Sequence, residues 1–153
     1  MHTESASIAL LVKPGFTFFD NSTGDGHLYF VASYQTSGAD GRPQVMVMNF
    51  TDIKHDPDRS CVIHPGEHQW VKKTTGIAWP RARVMGVSVI VSCLESGDFE
   101  STYKPLSKDI LNRVMAGARI TKHLTPRNKN FLRAQALIPY NDDPLPFDDQ
   151  PFK

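Results

Sequence analysis

The first half of the chain is a series of short apolar runs separated by strong turn signals. Residues 8–12 (Ile-Ala-Leu-Leu-Val) are apolar and stop at Pro14-Gly15, a strong breaker. The Asn-Ser-Thr-Gly-Asp-Gly stretch at 21–26 reads as a loop, and residues 27–33 (His-Leu-Tyr-Phe-Val-Ala-Ser) follow as a β-rich run. A second loop at 36–43 leads into residues 44–50 (Gln-Val-Met-Val-Met-Asn-Phe), which are nearly continuously apolar over strand length. That pattern predicts a strand covered on both faces. Residues 61–63 and 77–79 are apolar triplets, the second cut short by Pro80, which places it at an edge or strand end. Residues 84–93 form the longest β-branched run. Several short strands broken by Gly and Pro predict a small barrel or sandwich rather than alternating βα units.

The period then changes. Ser107 is placed to cap free amides and Asp109 to sit in the positive first turn of a helix. Ile110, Leu111, Val114 and Met115 recur on one face, and Gly117 stands where a helix would end. Thr125-Pro126 opens a second short helix, with Phe131, Leu132 and Ala134 for packing. The reading is one mainly β domain with α elements, a small β-barrel with two C-terminal helices, over residues 1–134. Residues 135–153 are an acidic, proline-rich tail with too little apolar area to fold by itself, either disordered or docked on something.

Composition adds bounds. A chain of 153 residues is the size of one domain, and 40% hydrophobic content suits a soluble globular protein. No apolar segment approaches the ~18 residues of a membrane helix, and the first residues lack the basic region of a signal peptide. A cytoplasmic location without membrane partners is expected. Cys61 and Cys93 sit in strand-like runs and read as buried thiols. The net charge of +1 hides a segregation. Residues 1–69 hold 4 Lys/Arg against 8 Asp/Glu, a net of −4, while residues 70–133 hold 12 against 4, a net of +8. Residues 134–153 hold 1 against 4, a net of −3. A basic middle inside a neutral chain suits an anionic partner, or is simply a solvated surface.

The chemistry concentrates at residues 61–73, Cys-Val-Ile-His-Pro-Gly-Glu-His-Gln-Trp-Val-Lys-Lys. His64 and His68 carry the groups that move protons near neutral pH, and Lys72 and Lys73 supply cations. The alternative is an ordinary polar loop, with one histidine bonded to Glu67 or a backbone carbonyl. A metal site would draw on His64, His68, Cys61, His55 and Glu67, but Pro65-Gly66 argues against helical i, i+4 ligation. No metal and no cofactor are expected. Phosphate-cradling Gly-rich loops and Gly-x-Ser-x-Gly elbows do not occur in the sequence.

Three pieces resemble the MazF/PemK-like family of bacterial toxins. Residues 26–31 (Gly-His-Leu-Tyr-Phe-Val) look like the family's first strand. Gly41-Arg42-Pro43 before residues 45–48 (Val-Met-Val-Met) is similar to its Gly-x-Arg-Pro element. Residues 76–83 (Gly-Ile-Ala-Trp-Pro-Arg-Ala-Arg) look like a later strand ending in basic residues. The resemblance covers about two-thirds of the chain and implies an SH3-like, PemK-like barrel. It implies a toxin of a toxin–antitoxin type system that cuts single-stranded RNA without a metal, often as a homodimer, with an antitoxin protein as partner. Arg42 matches the family's catalytic arginine. Where the family has a Thr or Ser, this chain has His64, and the nearest threonine is Thr51.

On that reading Arg42, His64 and His68 are the catalytic candidates, with Arg42 stabilising phosphorane charge through its fork. Thr51, Lys72, Lys73, Trp79, Arg81 and Arg83 would bind substrate, Trp79 by stacking a base unless it belongs to the core. The alternative is a non-catalytic nucleic-acid- or protein-binding module on the same barrel, using Lys104, Lys108, Arg113, Arg119, Lys122, Arg127, Lys129 and Arg133.

Overall fold

The computed structural model describes residues 2–24, 26–54, 58–140 and 150–153. In chain order the elements are α1 (His2–Ala9), β1 (Thr17–Asp20), β2 (Leu28–Val31), β3 (Thr36–Ser37), β4 (Pro43–Asp52) and β5 (Thr75–Ile77). A single 3₁₀ turn (Trp79–Arg81) precedes β6 (Arg83–Gly86), α2 (Val87–Ser96), β7 (Phe99–Ser101), α3 (Lys108–Ile120) and α4 (Pro126–Ala134). This is a mixed α/β fold built on one antiparallel sheet.

The ten-residue β4 is the axis of that sheet. One of its edges pairs with β2, Tyr29 opposite Asn49 and Val31 opposite Val47, and then with β3. Its other edge takes β6, Val45 opposite Met85, and then β5, Thr51 opposite Gly76. Beyond β2 the sheet continues through β1 to β7. The path does not close among the described residues, so the sheet is open where a barrel was expected.

Both faces of β4 are covered, as its continuous apolar run predicts. Met46, Met48 and Phe50, with Leu28 and Phe30 of β2, pack into a cluster holding Ile110, Leu111, Val114, Met115 and Leu132 of α3 and α4. Val45 and Val47, with Tyr29 and Val31, face Val87, Ile90 and Val91 of α2, while Ile8 and Ala9 of α1 pack against the same cluster. The alternation is the two-residue period of a strand whose two faces each meet a helical layer.

Three expectations change. Residues 8–12 are not a strand; Ile8 and Ala9 end α1 and Val12 is buried in the turn that follows. The β-branched run 84–93 is divided, its first part forming β6 and the rest α2, because Val87, Ile90 and Val91 fall at i, i+3, i+4 and bury one helical stripe. Gly117 does not end α3. That helix runs to Ile120, and Gly117 is where it approaches the 60–61 segment most closely, since a Cβ there would lie 2.7 Å from the Cβ of Cys61. The two helix starts do agree with expectation. Ser107 accepts from the Ile110 amide and Thr125 from the Asn128 amide. The core also extends past residue 134, for Leu137, Ile138 and Phe152 are buried in the α3/α4 cluster. Residues 141–149 of the expected tail lie outside the described residues.

Candidate functional site

The 61–73 segment is an irregular loop pinned at both ends. Ile63 makes a bridge to Thr75, which is itself paired to Asp52 at the end of β4. Glu67 reaches back to accept the His64 amide at 2.6 Å, closing the Pro65-Gly66 turn. Arg113 of α3 then grips that turn, with Nη1 donating to Glu67 Oε1 at 2.7 Å and Nη2 to the Val62 carbonyl at 2.6 Å. The hydrogen bond from Arg113, with that from the His64 amide, holds the Glu67 carboxyl at about 2, well below its usual value.

Within this loop the two histidines differ. His64 is exposed. His68 is 9% exposed and both ring nitrogens are engaged. Nδ1 accepts from the Trp70 amide at 3.2 Å, so Nε2 carries the proton and donates to the Lys104 carbonyl at 2.6 Å. His68 therefore ties the loop to the segment before α3, as the structural alternative for these histidines holds. Arg42 lies at the opposite end of the sheet. It precedes Pro43 at the start of β4, whereas the His64 loop joins the sheet beside Asp52 at the far end of that strand. A ten-residue strand separates them by roughly 30 Å. The side chain of Arg42 is 81% exposed and only loosely faces Asp40, at 3.9 Å. Arg42, His64 and His68 do not converge on one phosphate.

Three of the expected substrate-binding residues do come together. Thr51, Lys72 and Lys73 line a cleft of about 250 Å³ whose other walls include Phe19, His27, Asp52 and Trp70. Lys73 pairs with Asp52 at 3.0 Å, an exposed contact worth about 0–1 kcal/mol. Among the described residues no carboxylate pairs with Lys72. Trp70, 41% exposed, stands edge-on to Phe19 with ring centroids 5.5 Å apart. The sequence offered a signal for it in a tryptophan two residues before a Lys-Lys pair. Trp79, by contrast, is 1% exposed, and its indole Nε1 donates to Ser60 Oγ at 2.9 Å. It is core, because burial of so large a side chain beside a hydroxyl partner satisfies both its apolar body and its N–H. Arg81 and Arg83 are exposed and lie outside this cleft. Arg83 lines a second cleft with Arg127, Asn128 and Gln44, between β6 and α4.

The basic run of residues 104–133 is not one free surface. Arg113 holds Glu67, while Lys129 Nζ donates to the Thr121 carbonyl at 2.7 Å and so caps the end of α3. Arg133 donates to the Pro139 carbonyl at 3.2 Å and sits over the Tyr140 ring. A further pair, missed in the sequence, joins the two sides of this region. Asp58 Oδ2 accepts from Thr121 Oγ1 at 2.6 Å and pairs with His123 Nδ1 at 2.7 Å, while Oδ1 accepts from the Ser60 amide. Burial alone would raise the Asp58 carboxyl, but the bonds from His123, Ser60 and Thr121 outweigh it and hold it well below the usual range. Their 65-residue separation leaves no local pattern to read. No group of three or more His, Cys, Asp or Glu among the described residues is arranged to hold a metal ion.

Fold and cleft together define an α/β protein with an open antiparallel sheet and an aromatic, partly cationic cleft at one end of its central strand. Comparison with protein-family models, with curated proteins and with solved structures gives no match. No helix among the described residues is long and apolar enough to cross a membrane.

Proposed function

We propose that this chain binds single-stranded RNA in the cleft beside Trp70, without cutting it there. The observation that carries the reading is the exposed Trp70 ring beside Lys72, Thr51 and His27. An exposed indole gives a base a stacking face, and an ammonium group beside it tracks the phosphate that follows. Stacking is indifferent to base identity, so the affinity is broad in sequence and falls with salt. Kinship with the SH3-like PemK fold belongs to the same proposal, and its support is the order of the three motifs along the chain.

Cleavage, and with it a toxin role opposed by an antitoxin, is the second reading. One observation favours it. His123 is held through Nδ1 by a buried carboxylate, which orients its other nitrogen outward as acid–base chemistry requires. It would act in place of His68 and independently of Arg42.

The test is anisotropy of end-labelled oligouridylate and oligoadenylate titrated with wild type and each variant, alongside tryptophan fluorescence of the wild type, with EDTA present and the RNA analysed afterwards for cuts. Quenching is expected with intact RNA recovered. Trp70→Ala is expected to weaken binding by about 1–3 kcal/mol, and Lys72→Ala to lower the logarithmic salt slope by about 0.7. RNA binding of unchanged strength in Trp70→Ala sinks the site. Cutting that is lost in His123→Ala replaces the binding reading with the second one.

A further inference from the structure

We infer that residues 150–153 act as a tethered peptide ligand, and that the slot they occupy is a peptide-binding site. Only one of the four side chains is buried: Phe152 is 4% exposed, whereas Pro151 is half-buried and Gln150 and Lys153 are exposed. The Phe152 main chain is read by a side chain rather than by a neighbouring strand. Its N–H donates to Asn112 Oδ1 at 2.9 Å, and its carbonyl accepts from Asn112 Nδ2 at 3.0 Å. That reciprocal pair reproduces a β-ladder's donor–acceptor match with one amide group, and it carries no information about the side chains on either side. The ring is the buried anchor of the segment, packing 5.6 Å from the ring of Tyr34.

The backbone on both sides of the slot is held by bonds other than those to Phe152, although Phe152 itself joins the α3/α4 core cluster. Gln135 holds the Tyr34 backbone in the same reciprocal manner, accepting from its N–H and donating to its carbonyl, each at 2.9 Å. Asn112 stands on α3, whose Ser107 cap and buried face fix it. A backbone already held beneath the contact residues lowers the ordering cost of binding a short segment there. The ligand class is an extended peptide presenting an aromatic residue after proline, its main chain free to pair with an amide.

Because residues 150–153 and their slot belong to one chain, binding between them is intramolecular, and intramolecular binding across a short tether typically has an effective concentration on the order of millimolar. The tethered copy therefore excludes a free peptide of equal intrinsic affinity at micromolar concentration. A competing protein segment enters only where it binds more tightly or where the tail is cut or held elsewhere. The site is independent of the RNA-binding reading.

The experiment uses the full chain with a specific protease site inserted within residues 141–149, cut after folding and separated from its released fragment. The probe is a fluorescent peptide of residues 148–153, amidated at its end. The cut body is expected to keep its near-ultraviolet spectrum and to bind the probe reversibly, one to one. A probe carrying Phe152→Ala is expected to bind at least tenfold more weakly, and so is the normal probe on a body carrying Asn112→Asp, which keeps the acceptor but lacks the donor. The uncut chain is expected to bind at least a hundredfold more weakly than the cut one. The inference is overturned if the body loses its tertiary spectrum with the fragment, if the fragment never exchanges with excess probe, or if the Phe and Ala probes bind alike.

Discussion

Arg113 and Glu67, 46 residues apart, form a two-bond pair, Nη1 to Oε1 at 2.7 Å and Nη2 to Oε2 at 3.2 Å. Through it α3 fixes the shape of the loop that carries His64, His68 and Trp70. The guanidinium also reaches the Val62 carbonyl, so one side chain holds the loop at two points. A lysine has one ammonium point and no planar fork, and cannot reproduce this.

Acid should loosen that loop before it unfolds the core. Glu67 titrates at about 2 in the folded chain against 4.5 when free, so its contribution is complete above 4.5 and is lost as pH falls towards 2. Wild type and Glu67→Gln should therefore differ in thermal midpoint near neutral pH and converge in that window. Melting curves from pH 7 down to 2 check this; a difference that persists at pH 2 contradicts it.

Iodide should reach only one of the two tryptophans. Trp70 is partly exposed and Trp79 is buried, so quenching of the native protein should level off with part of the emission untouched. Trp70→Phe should leave a blue-shifted emission that iodide hardly changes.

The two thiols should differ in reactivity. Burial pushes the Cys61 thiol up to about 12, so almost no thiolate exists at pH 8. Cys93 is half-buried and its thiol is raised by burial too. With a chromogenic disulfide reagent, one slow equivalent assigned to Cys93 is expected from the native chain and a second only in denaturant. Equal labelling of both residues by peptide mapping would refute the assignment.

Gly117→Ala should destabilise the protein by about 1–3 kcal/mol, the range for overpacking, although alanine is the better helix former by about 1 kcal/mol. The added methyl meets the Ser60 carbonyl at 2.8 Å as well as Cys61. Urea unfolding measures the difference. An alanine variant as stable as wild type would show that α3 can step away from that segment.

What could be read from the sequence depended on how locally each cause acts. The caps at Ser107 and Thr125 and the double-sided burial of β4 follow from residues next to one another, and they were legible. The division of residues 84–93 was not. β-branched residues favour strands only weakly, and the α2 stripe is decided by the sheet it packs on. Gly117 misled for a similar reason, since a glycine at a close approach looks like one at a helix end. Of the expected site residues, Thr51, Lys72 and Lys73 line one cleft, because the pairing of β4 with β5 brings the segment just before β5 beside the end of β4. The Arg42 and His64 pairing failed on strand length. Arg113–Glu67 and Asp58–His123 join distant segments and leave no trace in a linear pattern.

The central strand also sets where this chain tolerates change. β4 is paired on both edges with four strands and faces a core on each side, so it has no free register. Deleting one residue near its middle would send Val45 and Val47 to the layer shaped for Met46 and Met48, and would displace the partners at one end relative to the other. Insertions and deletions should thus collect at its two ends, at the Arg42 turn and after Asp52. A library of single-residue deletions scored for soluble expression would draw this as a ten-residue silent gap.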